Sequence, residues 1–232
     1  MVGFVRRDTF ENREEAGRRL ARRLAHLRDD KPLVLALPRG GVPVAAEIAR
    51  ALRAPLDVIL VRKIGVPGQP ELALGAVVDG ARAHTVVNHE LMDMLGISET
   101  YLAEQSARQL AEIERRRKIY VGDRPYLDIL GRTVIVVDDG IATGSTVLAA
   151  LEAVRQAKPR RVVLAVPVAP SDTASSLREQ VDELICLMTP ASFGAISRFY
   201  ADFHQVGDEE VVRYLAGQAP RIPDSAKIGS VE

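Results

Sequence analysis

The sequence predicts an α/β protein with a central, mostly parallel sheet flanked by helices. Short apolar runs of buried-strand type recur at residues 33–37, 56–61, 133–137, 162–166 and 184–187. Segments with apolar residues at helical spacing separate most of these runs, the alternation that makes strands parallel and covers both faces of a sheet with helices. No internal repeat is visible, and 232 residues suffice for one well-buried domain with a small appended element.

Bulk composition narrows the function classes. The 31 Lys and Arg balance the 31 Asp and Glu, so no net field draws the chain to nucleic acid or to an anionic membrane. Cys186 is the sole cysteine, which forbids an intrachain disulfide and leaves no Cys cluster for zinc. Within its apolar run it reads as a small buried hydrophobe. Residues 1–8 carry two arginines but no apolar core of a signal peptide, and no window approaches a bilayer span. The expectation is a soluble, cytoplasmic protein with no nucleic-acid or membrane partner.

Along the chain, Asp8 and Glu11 have capping-box spacing ahead of a basic helix over residues 12–27, with Leu20, Leu24 and Leu27 on one face. Arg18, Arg19, Arg22 and Arg23 on its other face read as solvated. The strand at 33–37 meets Pro38-Arg39-Gly40-Gly41 and then a helix to about Leu52, with Pro43 in the first turn. The strand at 56–61 is followed by a Gly- and Pro-rich loop, 62–71, and a hairpin of 74–78 with 85–88 around Asp79-Gly80. Ser98 caps a long helix to about Lys118, whose closing run Arg115-Arg116-Arg117-Lys118 suits the negative end of the helix dipole. Gly131 precedes the strongest strand, 133–137, and a helix follows at 147–156. A strand at 162–166, a helix at 171–181, a strand at 184–187 and a short helix near 209–216 complete the order. One domain over 1–216 is thus expected, with a core of about 33–187, a hood from 1–30 and 190–216, and a disordered tail from 217.

In a parallel sheet, ligands collect at the carboxyl ends of the strands. Two successive aspartates, Asp138 and Asp139, end the strongest strand, and an uncompensated buried carboxylate costs several kcal/mol. They must therefore face solvent, a cation or hydroxyl donors. Gly140 and Gly144 follow, then Ser145 and Thr146 opening a helix, whose free N–H groups suit a phosphate. Carboxylates beside a phosphate cradle describe a phosphorylated sugar.

The run Val134 to Thr146, VIVVDDGIATGST, resembles the signature of type I phosphoribosyltransferases, which bind 5-phosphoribosyl-1-pyrophosphate (PRPP). The resemblance spans about residues 33–187 and implies that family's fold. It assigns Asp138 and Asp139 to the ribose 2′- and 3′-hydroxyls, in part through Mg2+, and Ala142, Thr143, Gly144, Ser145 and Thr146, with Gly140, to the 5′-phosphate loop. Arg39, Gly40 and Gly41 after Pro38 resemble the pyrophosphate loop, and Arg62-Lys63 the basic pair that contacts pyrophosphate. The implied reaction is displacement of pyrophosphate from ribose C1 by a nitrogenous acceptor through an oxocarbenium-like transition state. Arg39, Lys63 and Mg2+ would stabilise the leaving group, and the carboxylates the cationic sugar.

Residues 65–73 are the favoured closing loop, ahead of 115–126, and Glu71 is a candidate general base. Ala142 stands where hypoxanthine-guanine members carry a carboxylate, which disfavours a 6-oxopurine acceptor. Phe193, Phe199, Tyr200 and Phe203 either stack on a base or form a small packed core. The runs 62–77 and 199–210 resemble a bacterial group of phosphoribosyltransferases of unassigned substrate, some fused to an α/β-hydrolase-like domain; this sequence has no G-x-S-x-G elbow. Family members are often dimers, so a homodimer is allowed. A PRPP-binding regulator on the same fold is the rival reading. A phosphatase is disfavoured by the lack of D-x-D, and a P-loop nucleotidase by the lack of its Gly-Lys motif. The four histidines, His26, His84, His89 and His204, show no metal-ligand spacing.

Overall fold

The computed structural model describes residues 9–80 and 83–217. Its frame is a five-stranded parallel sheet of β1 (Leu33–Ala36), β2 (Leu56–Val58), β6 (Thr133–Val137), β7 (Arg161–Val168) and β8 (Glu183–Met188), in the order β2-β1-β6-β7-β8. Strands β1 and β6 are buried at every position because both faces are covered. Val34, Ala36, Ile135, Val137, Val163 and Ala165 point to one side. There they pack under α1 (Arg13–Arg23), α2 (Gly41–Leu52) and α7 (Asp208–Ala216). Leu33, Leu35, Val134, Val136, Val162 and Leu164 point to the other, under α5 (Ser145–Gln156) and α6 (Ser171–Arg178). The chain leaves β1 toward β2 and leaves β6 toward β7, so strand order reverses between β1 and β6. That switch point separates the loops after these two strands, and it is where a ligand-binding crevice forms.

The segment over 62–71 is not a loop. Val61–Val66 (β3) and Gln69–Val78 (β4) form an antiparallel hairpin turning at Pro67 and Gly68, and β4 pairs onward with β5 (His84–Val87). Ile64 and Val66 are buried while Lys63 is exposed, the alternation of a half-covered strand. Glycine and proline letters hid that pattern. The expected strand at 56–61 splits accordingly. Ile59 still donates to the Ala36 carbonyl at 2.9 Å, and then the Asp79 carboxylate takes the Leu60 N–H at 2.6 Å and turns the chain into the second sheet.

Two further corrections concern helix ends and charges. The cap of α1 is Asn12, whose side chain accepts from the Glu15 N–H; Asp8 lies outside the described residues. A helix that sequence periodicity missed, α3 (His89–Met94), is capped by Asn88, and α4 (Glu99–Val121) runs from its Ser98 cap past Lys118. Arg115 and Arg116 pair with Glu112 on the surface of α4, whereas Arg117 is buried. It reaches Asp57 at 3.1 Å and Asp79 at 3.4 Å and lies over the Tyr126 ring, joining α4 to both sheets. Cys186 is half-buried, and burial pushes its thiol up. The expected tail from 218 onward lies outside the described residues.

The two hood segments are stitched together. Phe10 and Tyr200 form a parallel bridge, with the Phe10 N–H donating to Phe199 and the Ala201 N–H to Phe10, both at 2.8 Å. Among the described residues no helix is long and apolar enough to cross a membrane.

Candidate active site

Strand β6 delivers Asp138 and Asp139 to the carboxyl edge of the sheet at the switch point, as the sequence predicts. Their surroundings differ. Asp138 is partly accessible, and its Oδ1 accepts the Asp139 N–H at 2.8 Å. Burial, with the neighbouring Asp139 charge, pushes the Asp138 carboxyl well above the usual carboxylate range. Asp139 is buried, and its Oδ2 accepts from Arg13 Nε at 2.7 Å. Its carbonyl accepts from the Tyr200 hydroxyl at 2.5 Å.

The Pro38–Gly41 loop at the end of β1 presses on this pair. A Cβ on Gly40 would collide with Asp139 Oδ2, and one on Gly41 would lie 2.7 Å from the Val137 carbonyl, so only glycine permits the approach. The Pro38–Arg39 peptide is cis. Arg39 is half-buried, with Nη1 3.7 Å from Asp208 Oδ1; the same carboxylate accepts from the Tyr120 hydroxyl at 2.7 Å.

Beyond Gly140 the chain is pinned by Ile141 N–H to the Val168 carbonyl at 2.9 Å. It then makes an exposed bend through Ala142 and Thr143. Gly144 takes a left-handed conformation (φ +80°) just before α5, which puts Ser145 and Thr146 in the first helical turn, where backbone N–H groups have no intrahelical partner. Thr143 and Ser145 hydroxyls sit 3.4 Å apart beside them. This is an anion-binding helix start, one short loop past a carboxylate pair.

A phosphoribosyl transferase domain model matches residues 7–204, most of the chain. This protein belongs to the phosphoribosyltransferase family. Two Mycobacterium tuberculosis proteins, MT0597 and Rv0571c, carry the provisional name phosphoribosyl transferase; each is 44% identical over 96% of this chain. The chain spans about half (49%) of the length of these curated relatives. The crystal structure of TT1426 from Thermus thermophilus is 43% identical, with a TM-score of 0.80, over 91% of this chain and all of that one.

Other candidate residues of this phosphoribosyltransferase lie apart from the pair. Arg62 and Lys63 belong to β3, in the second sheet, and do not end the second parallel strand. Arg62 donates to Gln109 at 3.1 Å and Lys63 is exposed opposite Ala76; among the described residues neither hydrogen bonds nor ion-pairs with Asp138 or Asp139. Glu71 stands on β4, and its side chain lies outside the described residues. The hood aromatics divide into two groups. Tyr200 and Phe203 pack with Phe10 around Arg13, whereas Phe193 and Phe199 form a ring pair at 5.4 Å beside a pocket of about 540 Å³.

Arg13 is the functional candidate that sequence reasoning passed over. It is buried, donates to the His204 carbonyl at 2.8 Å as well as to Asp139, and stands 3.9 Å over the Phe203 ring centre. A signal existed: Arg13 shares a helix face with Ala16, Gly17 and Leu20, all buried, so its spacing is that of a core position. Among the described residues no group of three or more His, Cys, Asp or Glu side chains converges on a cation position. Among those residues Asp138 is the carboxylate of the pair without a cationic partner, a donor set that fits Mg2+ held chiefly by substrate phosphates and one carboxylate.

Proposed function

We propose that the chain transfers the phosphoribosyl group of PRPP to a nitrogenous acceptor, with a nucleobase as the acceptor class, and releases pyrophosphate. One observation supports this above the rest. The β6 carboxylates, the Gly40-Gly41 loop and the start of α5 converge at the sheet's switch point, which offers a hydroxyl site between two anion sites.

In this reading the first-turn N–H groups of Ser145 and Thr146 bind the 5′-phosphate and fix the sugar. Asp138 accepts from a ribose hydroxyl and places negative charge beside the ring as C1 becomes cationic. Arg39 and the N–H groups of Gly40 and Gly41 orient the pyrophosphate. Asp208 holds Arg39 loosely enough, at 3.7 Å, for a phosphate oxygen to compete for it. Mg2+, held by Asp138 and substrate oxygens, supplies charge neutralisation of the pyrophosphate. Lys63 is assigned to the leaving group only after a movement of the β3–β4 hairpin, for which Pro67 and Gly68 provide the exposed tip.

The acceptor pocket lies at the same edge of the sheet, past β8, between Thr9, Thr189, Ser192, Phe193, Arg198 and Phe199. Ile196 leaves it and covers Gly140, so the pocket adjoins the phosphate loop. The Phe193–Phe199 pair offers apolar rings to a planar base.

Calorimetric titration with PRPP, with and without Mg2+, tests the site, and pyrophosphate release across a panel of nucleobases tests the reaction. Mg2+-dependent binding that Asp138→Asn weakens by about a hundredfold is expected, the loss of a charge-assisted contact plus its metal ligation. Unchanged affinity in that variant would remove the site assignment. Binding without turnover on any base would leave a PRPP sensor.

A further inference from the structure

We infer that Arg13 is a positioning residue of the ribose subsite, acting on Asp138 through Asp139. The inference deepens the proposed function and rests on its assignment of Asp138 to the sugar.

The chain of contacts is short and directional. Asp138 Oδ1 is oriented by the Asp139 N–H at 2.8 Å, so the direction of the accessible carboxylate depends on the Asp139 peptide. That peptide is fixed from both sides. Its carbonyl accepts from the Tyr200 hydroxyl, and its side chain accepts from Arg13 Nε at 2.7 Å. Arg13 in turn has little freedom, because its Nη1 is committed to the His204 carbonyl and its guanidinium lies over Phe203. A buried carboxylate one residue from a second one would take up a proton or swing away to relieve repulsion. The fixed guanidinium removes that option for Asp139. Its carboxylate, wedged between Arg13 and Gly40, is a brace and not a ribose or metal ligand. The pair therefore divides its labour, with Asp138 facing the substrate and Asp139 holding Asp138 in place.

The hood thereby reaches the chemistry. Arg13 belongs to the N-terminal helix, while Tyr200, Phe203 and His204 belong to the C-terminal segment, and all converge on one residue of the central strand's loop.

Binding of ribose 5-phosphate and of Mg2+-pyrophosphate to the full chain separates a positioning role from a structural one. Arg13→Gln is expected to weaken ribose 5-phosphate by about tenfold or more while leaving pyrophosphate within about twofold. Arg13→Lys, which keeps the cation, should recover most of that loss. The double variant Arg13→Gln/Asp139→Asn should bind no more weakly than Asp139→Asn alone, because Arg13 acts through Asp139. Equal losses of both ligands in Arg13→Gln, or no loss of either, would overturn the inference. If that variant does not fold, Tyr200→Phe and Arg13→Lys carry the same comparison. The first deletes one hydroxyl and keeps the ring, and a loss shared equally by the two ligands refutes the role. Wild-type protein that binds neither ligand refutes the underlying site assignment, and the inference with it, before any variant is made.

Discussion

Asp79 shows how one buried side chain ties stability to pH. Burial, only partly offset by the Leu60 N–H and by Arg117, raises its carboxyl to about 7. The folded protein then holds a proton between about pH 4 and 7 that the unfolded chain has released. That contribution to stability is complete below the unfolded carboxylate range and is lost as pH rises through about 7. Asp79→Asn retains an oxygen for the Leu60 N–H and has no proton to lose. Urea unfolding at pH 5 and pH 8 is expected to show the variant gaining on wild type by about 1–3 kcal/mol at the higher pH, a discounted share of the full shift. A constant difference across that range would place the titration elsewhere. Arg13 and Arg117 teach a related lesson about reading charged residues. Both sit in arginine-rich helices, where composition suggests a solvated face, and each is instead the one that turns inward. What marked Arg13 was its helical phase; Arg117 follows the buried Ile113 by one turn and precedes the buried Tyr120 by three residues, which is the same kind of mark.

Elements with a strong local pattern were legible, and those built by distant partners were not. The β6–loop–α5 unit was readable because a run of five buried residues, two acids and a helix start occur in uninterrupted order. The β3–β4 hairpin was not, since the helix beneath it lies elsewhere in the sequence and its register slips around Gly65. That slip, with Gly65 exchanging its partner at Ala73, disrupts the period-2 pattern on which a strand assignment depends. The hairpin is held to the parallel sheet by Arg117, which Asp57 of β2 and Asp79 share, with Arg124 adding a second contact to Asp57 at 3.1 Å. Arg117→Leu would leave two buried carboxylates with one cation between them. A cost of about 3–5 kcal/mol in chemical denaturation is expected for breaking such a pair from one side. Hydrogen exchange should show the loss concentrated in β3–β5 and α4; uniform loosening of the five-stranded sheet would argue that Arg117 is not the link.

At the scale of the whole molecule, the expected hood exists, but it is one structure made from both ends of the described chain. Phe10 is fully buried and packs on Tyr200 with ring centres 5.3 Å apart, directly behind the hydroxyl that reaches Asp139. Phe10→Ala should therefore cost about 3–5 kcal/mol in stability, as large-to-small changes of buried aromatics do. It should also weaken PRPP binding at temperatures where the variant remains folded. Thermal unfolding paired with titration checks both, and stability loss with intact affinity would separate the hood from the site.

The contacts of Asp139 also set an order in time. Its side-chain partner, Arg13, lies 126 positions earlier in the chain, and its main-chain partner, Tyr200, lies 61 later. During synthesis the parallel strands up to β6 can pair while the residue that locks their loop has not yet left the ribosome. A nascent chain halted short of Tyr200 would carry the whole nucleotide signature and still lack a fixed carboxylate to receive the sugar. Competence for substrate arrives late and all at once, when a segment far down the message closes over a residue made near its start.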